Sequence, residues 1–545
     1  MAYLTQTEGG QPVLILKEGT SRNRGKEAQK NNIMAAKIIA EAIRSTLGPR
    51  GMDKMIVDSL GDITITNDGA AILEEIDVQH PAAKMIVEVA KTQDDMVGDG
   101  TTTAVVLAGE LLKMAEDLIE QNIHPTLIVE GYRKAAQRAL EVLDKISQTV
   151  DLEDKETLKK AAITAMGSKA VGITKEHFAD IAVYAIDQIA EKQGEKWIVD
   201  VDNVQIVKKE GKSLQDTRLV RGIILDKEIV HSDMAKSVKE AQIALVDVAL
   251  EVKKTEVSAQ IRINDPSQIS GFLDKETNML KNMVEKIKKT KANVLISQKG
   301  IDDTAQYFLA KAGIMAVVRT KDSDMKKLSR ATDGKVVTNL DDIRPEDLGY
   351  AKLVEERKIG DDKMLFVEGC RNPKSVSILI RAGLERMVDE AERIMHDVLS
   401  VIADLYKKNR VVAGGGATET EISRQLREYA VQIGGREQLA VEAFSKSLEI
   451  IPKTLAENAG LEQIDILVNL RSAHEKSNGS FMGIDVFSGE IGDMLKKGVI
   501  EPLNVKEQAI KSASEASTMI LRIDDVISGG KAKAPGASSG MPPEY

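Results

Sequence analysis

The sequence predicts a multidomain protein of α and α/β type, with largely helical sections at both ends and an α/β section between them. Three observations carry that prediction. A chain of 545 residues, 42% hydrophobic and 29% charged, exceeds what one hydrophobic core organises, so roughly two to four domains are expected. Apolar side chains recur at helical spacing near both ends, whereas β-branched runs alternate with helical stretches in the middle. The two ends resemble each other in helix content, which suits a discontinuous terminal domain.

In chain order, Asn31 to Ile43 repeats apolar residues with helical spacing until Leu47-Gly48-Pro49 stops the pattern. The stretches Met85 to Ala90, Thr101 to Gln121 and Pro125 to Ser147 read the same way. Between them, Met55 to Thr66 reads as two short strands joined by a turn, a hairpin suited to pairing with another subunit. From about Val220 the pattern changes. Ile243 to Leu250 is a buried-strand candidate, and Val294 to Ile296, Thr304 to Ala312 and Ile314 to Val318 continue as β-α-β. Within that section, Ile269, Phe272, Leu273, Met279, Leu280, Met283, Val284 and Ile287 form an apolar stripe after the helix-start signal Asp265-Pro266-Ser267. Such a helix either packs in its own core or projects and docks elsewhere. Leu384 to Ile402 marks a long amphipathic helix whose polar side carries Arg386, Glu390, Arg393 and Asp397, charges that periodicity alone makes solvated. Val411 to Gly416 precedes helical material to about Ala459, and the low-complexity tail from Gly529 is too poor in apolar residues to build a core and is expected to be mobile.

The formal charge of −10 argues against a nucleic-acid binder, which needs a basic face. The lysines at 286, 288, 289 and 291 read as the solvated end of a helix. No segment approaches the roughly 18 to 20 apolar residues of a membrane span, and Met1 to Gln6 lacks the basic and apolar regions of a secretory signal. A cytoplasmic protein without membrane contact is expected. Cys370 is the only cysteine, which excludes an internal disulfide framework and a Cys-rich zinc site and gives weak support to a thiol nucleophile. None of the six histidines is paired at i, i+4, the spacing that sets two ligands on one helix face.

The run Gly98-Asp99-Gly100-Thr101-Thr102-Thr103 precedes the apolar helix from Ala104 to Leu112. A helix start presents unpaired N–H groups and the positive end of the macrodipole to an anion. Glycines allow close backbone approach to a phosphate, threonine hydroxyls bond it or cap the helix, and Asp99 offers the hard oxygen Mg²⁺ prefers. The same residues also suit an ordinary capped helix after a tight turn. Gly-x-x-x-x-Gly-Lys-Ser/Thr and the kinase catalytic-loop signature are both missing from the sequence, so any nucleotide site here is built otherwise than in those families.

Taken together, Thr46-Leu47-Gly48-Pro49, Thr66-Asn67-Asp68-Gly69, the Gly98 to Thr103 run, Ala413-Gly414-Gly415-Gly416 and the acid Asp397 closely resemble the chaperonin family. His80 to Lys84, Gly435 to Ala440 and Thr454 to Gly460 resemble its group II branch, the archaeal thermosome and its eukaryotic cytosolic counterpart; the likeness runs from about Val13 to Ile527.

The resemblance implies a discontinuous, mostly helical equatorial ATPase domain from residues 1–149 and 404–528, a small α/β intermediate hinge domain from 150–219 and 370–403, and an α/β apical substrate-binding domain at 220–369. It implies a helical lid protrusion near 250–290, a flexible tail at 529–545, and no separate cochaperonin. Leu47, Gly48 and Pro49 are implied near the nucleotide, Asp99 on Mg²⁺, and Gly100, Thr101, Thr102 and Thr103 around the phosphates of ATP. Gly415 is implied near the ribose and base, Glu501 as an acidic contact to the ribose, Lys169 as a sensor of the γ-phosphate, and Asp68 and Asp397 as the two catalytic acids. The implied partners are non-native proteins and identical or paralogous subunits in two stacked rings. Two segments depart from the group II pattern: Arg381-Ala382-Gly383-Leu384 stands where Arg-Gly-Gly-Thr is common, and Lys407-Lys408-Asn409-Arg410 replaces an Asp-Gly turn. A passive ring with a vestigial nucleotide site and a small-molecule phosphotransferase are the readings from other classes. The intact pair Asp68 and Asp397 speaks against the first, and the lack of a visible acceptor site against the second.

Overall fold

Residues from the two ends of the chain build one helical core. Gly25–Arg44, Pro81–Val97, Thr101–Glu120 and Pro125–Ile146 pack against Ala417–Ile433, Gly435–Leu448 and Leu503–Leu521. The computed structural model describes residues 3–6, 12–15, 21–57, 61–169, 172–194, 196–252, 266–370, 374–476 and 478–528. Small side chains let these helices approach closely, and a Cβ on Gly109 would lie 2.3 Å from that of Ala40 on the crossing helix. At the centre, fully buried Tyr132 meets Phe444 edge to face at 5.5 Å and donates its hydroxyl to the Leu111 carbonyl at 2.7 Å, so its polar end is satisfied. Strand Asp525–Ser528 pairs antiparallel with Ser21–Arg24, closing the C-terminal section on the N-terminal one.

A second body joins Lys155–Ala165, Lys175–Ile189 and Glu385–Lys407 to a three-stranded sheet. Its central strand, Val376–Ala382, runs parallel to Val204–Glu210 and antiparallel to Arg218–Val220. Buried on both faces, the central strand reads as an unbroken Val-Ser-Ile-Leu-Ile run. The α/β unit follows, a seven-stranded mixed sheet in the order Gly222–Leu225, Asp362–Glu368, Gly349–Ile359, Ser237–Val246, Val294–Ser297, Met315–Val317, with Val336–Val337 beside the fourth. Asp303–Lys311 and Asp322–Thr332 pack on it.

Several expectations need correction. The strand expected over Ile243 to Leu250 runs from Ser237 to Val246; its first half pairs with Gly349–Ile359 through polar, half-exposed residues that hydropathy does not mark. The helical stretch ending near Ala459 is three helices, broken at Gly434 and Glu449. Asp397, which periodicity alone makes solvated, is buried, because Glu385–Lys407 is covered on that side too: Glu390 reaches Thr66, and Asp397 reaches Lys169. Arg386 on the same face is exposed. The hairpin forms, with Lys54–Val57 antiparallel to Ile63–Thr66 and Met55 and Val57 exposed.

In helix Pro266–Lys289, Leu280, Val284 and Ile287 are buried in the core of the α/β unit, whereas Met279 is exposed. The side chains of Ile269, Phe272 and Leu273, residues 253–265, and the tail at 529–545 lie outside the described residues. Cys370 is buried and its thiol is pushed up to about 11 by that burial, a poor setting for a nucleophile. Among the described residues no helix is long and apolar enough to cross a membrane.

Candidate functional site

A cavity of about 490 Å³ opens where both halves of the helical core meet the second body, a volume suited to a small ligand. The core supplies Thr46–Pro49, Asn67, Asp99–Thr103, Gly415 and Gly416 to its wall; the second body supplies Thr164, Ala165 and Gly167–Lys169.

The wall's polar part follows from the Gly98–Thr103 turn. Helix Pro81–Val97 ends on Gly98 at φ 66°, and Gly100 at φ 78° begins the next helix, both in the left-handed region that only glycine enters cheaply. Space reinforces the choice: a Cβ on Gly98 would lie 2.3 Å from that of Ser400, and one on Gly100 2.8 Å from Val505 Cγ1. The first intrahelical bond runs from the Ala104 N–H to the Gly100 carbonyl at 3.0 Å, which leaves the N–H groups of Thr101, Thr102 and Thr103 for a ligand. Asp99 Oδ1 accepts the Gly100 N–H at 2.7 Å, and the Asp99 carbonyl accepts Gln93 Nε2 at 2.8 Å. Burial pushes the Asp99 carboxyl up, against the pull of Lys169.

Lys169 is the cationic centre. Its buried ammonium pairs with Asp397, and although burial disfavours its charge, Asp397, Asp99 and Asp68 together hold it above the usual lysine range. Burial pushes the Asp397 carboxyl well up, and Lys169 opposes this. Asp68 caps helix Gly69–Glu75, its Oδ2 accepting the Ala71 N–H at 2.8 Å, while Oδ1 accepts the Thr101 hydroxyl at 3.1 Å. It is therefore both a turn residue and a neighbour of the anion turn. Asn67 donates its side-chain amide to the Ser168 carbonyl, and its own Oδ1 is buried with no hydrogen-bond partner among the described residues.

Of the residues singled out in the sequence, Leu47, Gly48, Pro49, Asp99, Gly100, Thr101, Thr102, Thr103, Lys169, Gly415 and Glu501 all line this cavity. Asp68 and Asp397 stand one side chain behind it, Asp68 against Thr101 and Asp397 against Lys169. Sequence reasoning missed the apolar wall of Ile451, Leu455, Ile484, Val486 and Phe487, and it missed Gln93, Glu419 and Lys506. A signal existed for Lys506, a charge set among Leu503, Ala509 and Ile510 on the buried face of its helix. Fully buried Gln93 gave none.

The donor set fits a magnesium–phosphate ligand: free N–H groups at a helix start, a fixed ammonium, and one hard carboxylate oxygen. Among the described residues no group of three or more His, Cys, Asp or Glu side chains forms a metal cage. Mg²⁺ commonly takes one or two carboxylates and completes its shell with phosphate and water, a role for which Asp99 suffices. Of the departing segment 381–384, Arg381 and Ala382 end the central strand, with Arg381 buried and donating to the Glu210 carbonyl at 2.9 Å, and Leu384 precedes helix Glu385–Lys407.

The model of the TCP-1/cpn60 chaperonin family matches residues 39–531. Thermosome subunit beta of Thermococcus kodakarensis is 59% identical over 522 residues, covering 96% of this chain and 95% of that protein. Thermosome subunit beta of Sulfolobus acidocaldarius is 58% identical over 530 residues, covering 97% and 96%. A thermosome subunit of Pyrococcus horikoshii is 58% identical over 522 residues, covering 96% and 95%.

Proposed function

Since the chain belongs to the TCP-1/cpn60 chaperonin family, among the archaeal group II chaperonins, we propose that it is the subunit of an ATP-hydrolysing folding machine. The observation that carries this reading is the meeting at one cavity of the glycine-bounded anion turn, from the helical core, with Lys169, from the second body, which Asp397 holds from behind.

ATP bound with Mg²⁺ supplies the phosphoanhydride whose cleavage drives the cycle. Thr101–Thr103 hold phosphate oxygens through their N–H groups, Asp99 gives the metal an oxygen, and Lys169 balances charge at the terminal phosphate. Asp68 and Asp397 orient the attacking water and take its proton. Gly48, Pro49 and Gly415 bound the remainder of the nucleotide, and Glu501 accepts from the ribose hydroxyls. Because Asp397 and Lys169 ride on the second body, their seating requires that body to close on the core, which couples chemistry to domain movement.

On this reading the helical core is the equatorial domain (1–149, 404–528), the second body the intermediate hinge (150–219, 370–403), and the α/β unit the apical domain (220–369). The apical domains capture non-native chains, and the protrusion near 250–290 closes the chamber without a separate cochaperonin. The subunits, identical or paralogous, stack as two rings in the cytoplasm. A refolding assay tests this: a chemically unfolded client is held by the purified ring and recovers activity on addition of Mg²⁺-ATP. Recovery independent of nucleotide refutes the ATP-driven cycle, and failure to hold any client refutes the chaperone reading.

A further inference from the structure

Three elements converge on an ion triad at the cavity wall, two of its members buried and Glu501 partly exposed, away from the phosphate turn's own hydrogen bonds. Lys506, in the first turn of Leu503–Leu521, places Nζ 2.8 Å from Glu419 Oε1 and 2.8 Å from Glu501 Oε2. Glu419 starts helix Ala417–Ile433, and Glu501 lies on strand Ile500–Pro502, paired with Arg410–Ala413. The Lys506 and Glu419 side chains are only 7% and 5% exposed. Two carboxylates on one ammonium leave a negative charge in excess, and of the two it is Glu501 that reaches the wall.

An ionised carboxylate only accepts hydrogen bonds, so at this place it repels phosphate and suits a hydroxyl donor. One oxygen of Glu501 is held by Lys506; the other lies beside Gly414, where a Cβ would come within 3.0 Å of it. Burial pushes the Glu501 carboxyl up and Lys506 pulls it down. Gln93 fixes the spacing to the anion turn: its buried Nε2 donates to the Asp99 carbonyl at 2.8 Å and to the Val505 carbonyl, next to Lys506, at 3.1 Å.

We infer that Lys506, anchored by Glu419, is a positioning residue that aims the Glu501 carboxylate at the sugar hydroxyls of the nucleotide and so sets the preference for a ribonucleotide. The inference rests on the reading of Glu501 as the ribose acceptor. It is tested by calorimetric affinities of the assembled ring for ATP and for its 2′-deoxy and 3′-deoxy analogues. The native ring should prefer ATP over at least one analogue by about tenfold, the worth of a hydrogen bond to a charged acceptor. In Lys506→Met that preference should fall to within about twofold, through weaker ATP binding with analogue binding held. Should Lys506→Met fail to assemble, Glu419→Gln keeps the Lys506–Glu501 contact but weakens its anchor, and should reduce the preference to about threefold. An undiminished tenfold preference in either variant overturns the positioning role. A native ring indifferent to both hydroxyls removes the sugar reading of Glu501, and this inference with it.

Discussion

Replacing Asp397 by Asn should leave nucleotide binding intact and nearly stop hydrolysis. Asp397 does not line the cavity, whereas the anion turn, Asp99 and Lys169 do, so the ligand's own contacts survive, and losing a negative charge does not weaken anion binding. Removal of a positioned acid/base group costs about 10²–10⁴ in rate, equivalent to about 2.7–5.5 kcal/mol in the barrier. Stability should suffer less than the roughly 3–5 kcal/mol of a buried pair broken outright, because Lys169 keeps Asp99 and Asp68 nearby. The assay is steady-state phosphate release by assembled rings beside calorimetric nucleotide affinity. Native turnover would remove Asp397 from the chemistry, and a large loss of affinity would make it a binding residue.

Asp99→Ala should weaken Mg²⁺-ATP more than metal-free ATP, since it removes a hard oxygen and leaves the N–H groups in place; equal losses by calorimetry would favour a plain helix-start role. Glu421, buried, is raised by burial but pulled further down by His474, Arg424 and Gln425, to about 2 from 4.5. A depressed carboxylate stabilises above its unfolded pKa, so about 3 kcal/mol should be lost as pH falls from 4.5 toward 2. Denaturant unfolding across that window should show a flatter acid limb in Glu421→Gln, and an unchanged limb would contradict the assignment. Replacing Lys254 to Thr277 by a short Gly/Ser linker should leave ATP turnover largely intact and abolish protease protection of a captured client. Leu280, Val284 and Ile287, buried in the α/β core, are retained, so wholesale unfolding of the variant would show that the deleted part belongs to that core.

Local signals carried the sequence reading where chemistry and periodicity agree. The helices of both ends, the β-α-β run after Val294 and the Gly98–Thr103 turn announce themselves through spacing, glycine and caps. Apart from the family resemblance, the closure of one end on the other was legible only as a similarity of helix content, because packing of Ala40 on Gly109 or Tyr132 on Phe444 depends on surfaces far apart in sequence. Periodicity taken alone puts Asp397 on solvent for a related reason: it describes one helix, and the cover over that face comes from Thr66 and Lys169. Gln93 joins carbonyls 412 residues or fewer away, and a buried amide with such partners leaves no local mark.

The most direct test of the account is electron microscopy of the purified protein with and without Mg²⁺-ATP. Double rings should be open without nucleotide and closed over a central chamber with it, and in closed rings the Glu385–Lys407 helix should bring Asp397 to the bound phosphates. Rings that do not change on adding Mg²⁺-ATP, or particles that form no double ring, would contradict it.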